Sequence, residues 1–250
     1  MSTEDHRRPS DSIALLILDE HPVLRAGVRT LLESEDGVQV VAEADSVDQA
    51  VDLIRAAPPD VVLMDVGEAS AHTVEDMRRL GREVPDGAIV VFAGRDDDED
   101  VYRAVVGGAA GHVSSTAQPA ELLDTIRRAA TGEEPIRDML AQRPALGRRV
   151  LEAFARLAAR GPARQAPQLS EREVDILSFA AQGLTNQQIG HQIGLSEHTV
   201  KAAISRLLAR LGLHHRTEAV VHALRHGWIQ SPVAGAAQPV QVESPFVEPY

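Results

Sequence analysis

The sequence predicts two folds in tandem: a doubly wound α/β domain on five parallel strands, then a smaller all-α domain of four helices. Three observations carry this. Five apolar runs of strand length alternate with helical patterns between residues 11 and 130. An arginine- and proline-rich stretch, 131–168, then breaks the pattern. Short helical segments separated by glycine turns fill residues 169–230. At 250 residues the chain has room for about two domains.

In chain order, residues 1–10 are polar and aperiodic, expected to be disordered, with no apolar stretch that would make a signal peptide. Ile13–Leu18 (IALLIL) is the first strand, ending in Asp19-Glu20. His21 to Ser34 carries Val23, Leu24, Val28, Leu31 and Leu32 at helical spacing. Val38–Ala42 is a second strand, and Ser46 caps a helix bearing Val47, Ala50, Val51 and Ile54. Pro58-Pro59 punctuates before a third strand, Val61–Met64, which ends at Asp65; a helix with Val74, Met77 and Leu80 follows. Ala88–Phe92 is the fourth strand. The acidic Asp96–Asp100 then opens a helix to Val106, where acids suit the positive end of the dipole better than they argue for a metal patch. Gly107-Gly108 ends that helix, Gly111–Val113 is the fifth strand, and Pro119 starts a helix to Ala130. Parallel strands need crossover helices on both faces, which is why these strands read as uninterrupted apolar runs. Sites in such sheets lie at the C-terminal strand ends, where Asp19, Glu20 and Asp65 fall. Between the domains, Leu146–Ala159 shows a stripe of Leu146, Val150, Phe154 and Leu157, a linker helix free to dock on either side. The last twenty residues, 231–250, are rich in Pro, Ala and Gln and read as a disordered tail.

The formal charge of −12 is unevenly placed. Residues 11–130 carry 24 acids against 10 bases, whereas residues 168–230 carry 5 against 6, so only the second half tolerates a polyanion. The absence of cysteine excludes disulfides and thiolate metal sites. No apolar run approaches the ~20 residues of a membrane helix, and a cytoplasmic protein without membrane contact is expected. No phosphate-cradling glycine loop or nucleophile triad emerges, so no enzymatic activity is expected. His222 and His226 stand four apart without a third ligand, and His214-His215 falls at a helix junction; neither argues for a metal.

Ser170-Glu171-Arg172-Glu173 fits a capping box opening a helix whose Val174, Ile176, Leu177 and Ala180 face inward, stopped by Gly183. A second helix spans Asn186–Ile193; Gly194-Leu195-Ser196 turns the chain, and Ser196 caps a third helix, Glu197 to Leu211. Two short helices joined by a glycine turn make a helix-turn-helix, whose later helix enters the major groove. On that helix Val200, Ile204, Leu207, Leu208 and Leu211 form the inner sector. His198, Ala202, Ser205, Arg206 and Ala209, flanked by Thr199, Lys201 and Arg210, form the outer one. Small residues there admit close approach to base edges, and Lys201, the only lysine in the chain, with the arginines reaches bases or phosphates. On the pattern alone, a plain solvated face is the competing account.

The landmarks Leu169-Ser170, Arg172-Glu173, Gly183-Leu184-Thr185-Asn186, Ile189, Leu195-Ser196, Thr199-Val200-Lys201, Leu211-Gly212 and Arg216-Thr217 resemble the LuxR-type helix-turn-helix domain over its whole length. The resemblance implies sequence-specific binding of double-stranded DNA at paired half-sites by a homodimer joined through the last helix, Arg216–His226, with Lys201, Ala202 and Ser205 at the recognition positions. Ala203 departs from the family's usual histidine.

Asp19-Glu20-His21-Pro22, Pro59-Asp60-Val61-Val62-Leu63-Met64-Asp65 and Gly108-Ala109-Ala110-Gly111 resemble a response-regulator receiver, a flavodoxin-like fold, and the whole chain resembles the NarL/FixJ type. The resemblance implies Asp65 as phospho-acceptor, Asp19 and Glu20 with Asp65 as the Mg²⁺ ligands, and a histidine kinase as phosphate donor. The switch residues depart from the pattern. Ala93 stands at the hydroxyl position and Ser115 at the lysine position, Glu68-Ala69 replaces Met-Pro, His112 replaces an aromatic, and Glu20 is longer than the usual aspartate. The expectation is a DNA-binding transcription regulator with a degenerate receiver, controlled independently of phosphate, with room for a small-molecule ligand beside Ala93 and Ser115. The alternatives are a conventional two-component regulator phosphorylated on Asp65 and a protein-interaction adaptor.

Overall fold

The computed structural model describes residues 12–67, 73–94, 97–160, 169–213 and 216–230, with backbone alone at 155 and 157–160. The expectations for residues 1–10, Glu68-Ala69, Asp96, His214-His215 and 231–250 lie outside the described residues. The first half alternates β1 (Ile13–Leu18), α1 (Pro22–Glu33), β2 (Val38–Ala44), α2 (Val47–Ala56), β3 (Val61–Val66), α3 (Thr73–Glu83), β4 (Ala88–Ala93), α4 (Asp98–Gly107), β5 (Gly111–Ser114) and α5 (Pro119–Ala130). All five strands are parallel in the order β2-β1-β3-β4-β5, the doubly wound arrangement the sequence predicts.

Period two decides which side chain serves which face. Leu15, Ile17, Leu63, Val90 and Val113 pack under α1 and α5. Leu16, Leu18, Val62, Met64 and Val91 pack on the opposite side, under α2, α3 and α4. Both layers are buried, so neither could be polar, and the strands are apolar throughout. Proline occupies the first turn of α1 and of α5, where its missing N–H costs nothing. Asp97 caps α4, its carboxylate accepting from the backbone N–H of Glu99 and Asp100 at 3.0 and 2.9 Å. Gly108 ends the helix at φ +94°, a conformation that favours glycine. Ser46 holds the N-cap position of α2 but makes no side-chain capping bond. Gln49 instead reaches back, its Oε1 accepting from Asp45 N–H at 2.8 Å.

The connecting stretch holds two helices rather than one: α6 (Ile136–Gln142) and α7 (Pro144–Arg160). Proline sits at the start of each, which supplies the break between them. The stripe Leu146, Val150 and Phe154 is buried in the core layer of α2–α4, so α7 docks on the first half. Arg143 and Arg149 pin it to Asp98 (3.3 Å) and Glu99 (2.8 Å) of α4, and the Arg149 guanidinium lies 4.4 Å from the centre of the Tyr102 ring.

The second half comprises α8 (Glu171–Ala181), α9 (Asn186–Ile193), α10 (Glu197–Leu211) and α11 (Arg216–Arg225) around Ile176, Leu177, Ile189, Val200, Leu207 and Ala223. The capping box at Ser170 and Glu173 forms as expected, and a second one, Thr185 with Gln188, opens α9. Gly190 permits the tight turn into α10: a Cβ there would lie 2.5 Å from Leu195 O.

Phe154 is 2% exposed and anchors α7. Phe154→Ala is expected to destabilise the first half by about 3 kcal/mol, read as a lower midpoint in chemical denaturation. A loss under about 1 kcal/mol would show that α7 is not anchored there.

Candidate DNA-binding face and receiver site

At the strand ends, Asp19 closes β1 and is 3% exposed. Its Oδ1 accepts from His21 N–H at 2.7 Å and lies 3.2 Å from His21 Nδ1, which is 3.6 Å from Asp65 Oδ2 on β3. Donor atoms of Asp19, His21 and Asp65 all lie within 4.8 Å of one another. Glu20, expected as the second metal acid, is exposed and outside that trio. The longer side chain instead brings Oε1 over Gly67, 3.5 Å from where a Cβ would stand. The motif that carries His21 assigns it no role. Its position two residues after Asp19, in an extended backbone just before α1, is what turns the ring into the site.

Burial, reinforced by the negative charge of Asp19, pushes the Asp65 carboxyl up from 3.8 to about 6, against the opposing pull of His21. Ala93 ends β4, and Ser115 follows β5. Ala93 is buried, pairing with Val66 and Ser114 in the ladder, and its carbonyl accepts from Ser115 N–H at 2.7 Å. Ser114 Oγ is 2.8 Å from Thr116 Oγ1, so these hydroxyls interact with each other. The chain's one lysine lies on α10. Arg103 of α4 borders the same cleft as Asp65, and it pairs with Glu99 at 3.4 Å.

The outer face of α10 is only partly the open surface the sequence suggests. His198, Thr199 and Arg206 are exposed, and Arg206 Nε donates to Ala202 O at 3.1 Å. Arg210 is drawn to Glu173 at 2.7 Å. Lys201 and Ala202 are half-buried, and Ser205 is 8% exposed. The turn between α3 and β4 covers it: Ser205 Oγ lies 2.7 Å from Pro85 O, 2.6 Å from Asp86 Oδ1 and 3.0 Å from Lys201 O. One hydroxyl proton serves one of these acceptors at a time. The helical sectors of α10 carry no sign of this cover, because the covering residues lie some 120 positions away.

Further contacts close the same seam. Thr217 Oγ1 donates to Glu134 Oε2 at 2.6 Å, and Arg137 Nη1 donates to Ala180 O at 3.2 Å. Arg216 is buried between the halves, donating to Asn186 Oδ1 at 3.1 Å and to the Leu184 carbonyl; burial pulls its guanidinium down to about 10. Gly132, at φ +80°, meets Asn186 so closely that a Cβ would lie 2.0 Å from Nδ2.

A parallel sheet with a half-buried acid at β3, followed by a helix-turn-helix domain, defines a two-part regulator, and comparison with known proteins agrees. Residues 15–127 match the family described as response regulator receiver domain, and residues 167–223 match bacterial regulatory proteins of the luxR family. The chain is 33% identical over 207 residues to the nitrate/nitrite response regulator protein NarL of Escherichia coli (strain K12), covering 83% of this chain and 93% of that protein. It is 32% identical over 215 residues to the transcriptional regulatory protein LiaR of Bacillus subtilis (strain 168), covering 86% and 98%. The crystal structure of the response regulator ChrA of a heme-sensing two-component system aligns with 29% identity and a TM-score of 0.43, covering 87% of this chain and 98% of that one. The chain belongs to the NarL/FixJ type of response regulators, which are DNA-binding regulators of transcription and not enzymes. Among the described residues no helix is long and apolar enough to cross a membrane.

Because the folded state raises the Asp65 pKa, it binds a proton more tightly than the unfolded chain does. Stability therefore falls as pH rises from about 4 to about 6. Asp65→Asn removes the half-buried charge; discounted for its partial exposure, the change is expected to stabilise the protein at pH 7 by about 1–2 kcal/mol while changing little below pH 4. Thermal melts across that range check it; an equal effect at both ends would contradict it.

Proposed function

We propose that this transcription regulator is controlled without phosphate, by a receiver that covers the recognition helix until the halves separate. The observation that carries the first part is the buried Ala93 methyl and the seryl Ser115 at the ends of β4 and β5, beside an otherwise intact Asp65. A hydroxyl and an ammonium that both bind a phosphoryl oxygen contribute roughly 1.5–3 kcal/mol each as charge-assisted bonds. Their loss exceeds the ~1–3 kcal/mol of a typical allosteric coupling, so phosphate on Asp65 has little with which to move the sheet ends.

Asp19 and Asp65 are the residues that would hold Mg²⁺, with Glu20 as the third acid; the short separations within the Asp19, His21 and Asp65 cluster suit a divalent ion. Such an ion supplies charge neutralisation at the acid cluster. The chain's own part is to keep Asp19 buried and fixed by His21 N–H and to hold Asp65 at a raised pKa. A histidine kinase remains the donor in the conventional reading, and acetyl phosphate separates the two. Incubation with Mg²⁺ and acetyl phosphate is expected to leave DNA affinity unchanged within twofold, about 0.4 kcal/mol. Stable aspartyl-phosphate on Asp65 with tighter DNA binding would establish the conventional switch.

For the output, His198, Thr199, Lys201, Ala202, Ser205, Arg206 and Arg210 form the DNA-contacting set. Lys201 and Ser205 reach base edges, and the arginines and the helix start reach phosphates. A homodimer through α11 would set two such helices on paired half-sites. Ser205 is buried by Asp86 and Pro85, so the same face cannot contact DNA while closed. Asp86→Ala removes an acceptor from the cover and leaves α10 whole. It is expected to tighten DNA binding about three- to tenfold, the worth of one such hydrogen bond, in a titration at fixed salt. Unchanged or weaker binding would contradict the cover.

A further inference from the structure

The receiver contains a cleft of about 1290 Å³ at the C-terminal ends of β3, β4 and β5. That is larger than the ~300–1,000 Å³ of ordinary small-molecule sites. One wall is apolar: Leu24, Val28 and Leu31 of α1 face Phe92, Val113 and Leu122. At its edge Val23 is 87% exposed and Leu24 38%, apolar surface that nothing in the chain covers among the described residues. Among the described residues the other end is polar and mostly acidic, with Asp65 joined by Asp97, Glu99 and Asp100 of α4 and the guanidinium of Arg103. Two of these acids are already engaged. Asp97 caps α4, and Glu99 is held by Arg103 and Arg149. Among the described residues Asp100 makes no ion pair, and Asp65 has His21 Nδ1 at 3.6 Å and the acid Asp19 in the same cluster.

We propose that this cleft is the receiver's input site and that it takes an amphipathic organic cation. The apolar body lies against α1 and α5, and the amine lies toward Asp65 and Asp100. The proposal rests on the reading that phosphate is not the input. Charge selects the class: an anionic ligand of the same shape would meet the carboxylates of Asp65 and Asp100 at the polar end, and a neutral one would leave Asp100 unused.

The position also provides a route outward. Asp97, Glu99 and Asp100 belong to the first turn of α4, the turn whose Asp98 and Glu99 hold Arg143 and Arg149 of the linker helices. α7 packs in turn against α11 of the DNA-binding half. A ligand that engages Asp100 therefore acts on the turn that positions α7.

Gly27 offers a clean block. It lines the cleft from α1, and a Cβ there has no atom within 4 Å, so a larger side chain enters empty space rather than packed neighbours. The test uses the full chain with two fluorescent probes of matched shape and opposite charge, 9-(aminomethyl)anthracene and anthracene-9-carboxylate, read by anisotropy. The amine is expected to bind saturably, about tenfold or more tighter than the carboxylate. Gly27→Leu should weaken amine binding about tenfold or more without lowering the melting temperature, and Asp100→Asn should erase most of the preference between probes. Equal binding of the two probes, no saturable amine binding up to about 1 mM, or full amine affinity in Gly27→Leu would each overturn the proposal. Acetyl phosphate labelling of the same samples keeps the two readings apart. Absent amine binding with unlabelled Asp65 overturns the cleft alone, whereas labelled Asp65 with tightened DNA binding overturns the phosphate-independent reading on which it rests.

Discussion

Ser205 cannot face Asp86 and a base edge at the same time. Everything else in the arrangement depends on that exclusion. The hydroxyl is buried on the turn between α3 and β4, at hydrogen-bond distance from Pro85 O and Asp86 Oδ1. The helix that carries it is the one proposed to enter a groove, with Ser196 capping its start and Gly212 ending it at φ +69°. Bonds of this kind contribute about 1 kcal/mol net, so the latch is weak taken singly. Its strength comes from company: Thr217 with Glu134, Arg137 with the Ala180 carbonyl, and the close meeting of Gly132 with Asn186 must part together.

The charge distribution suits a cover of this sort. The first half carries 24 acids against 10 bases, and it meets the half that binds a polyanion. Asp86 places one of these acids directly on α10, and the net negative charge of the first half repels DNA that approaches the closed form. The buried Arg216 belongs to this seam: the charges of Glu134 and Arg137 act on it from across, while its guanidinium donates to Asn186 and the Leu184 carbonyl.

Most of the architecture was legible because it follows from local rules. The alternation of Leu15 and Ile17 with Leu16 and Leu18 across two core layers is a consequence of period two, and the limits of α5, α9 and α10 coincide with proline, capping and glycine signals visible in the chain. The second to fifth strands run one or two residues further than their apolar runs, because ladder pairing carries polar residues such as Glu43 and Asp65 along with it. Helix α6 escaped notice because seven residues with one buried side chain, Ile136, show too little periodicity. What the sequence did not show is what depends on distant residues. The covering of Ser205, the entry of His21 between Asp19 and Asp65, and the approach of Arg103 to the cleft all join positions that no local window contains.

The covered helix and the altered phosphate switch together make one claim: the receiver holds the DNA-binding half shut, and phosphate does not release it. The most direct measurement compares the full chain with a fragment of residues 169–230 on the same DNA at the same salt, with and without acetyl phosphate and Mg²⁺. The fragment is expected to bind about tenfold or more tighter than the full chain, and the phosphate donor is expected to leave that gap in place. A full chain that binds as tightly as the fragment, or a gap that acetyl phosphate closes, would contradict the account.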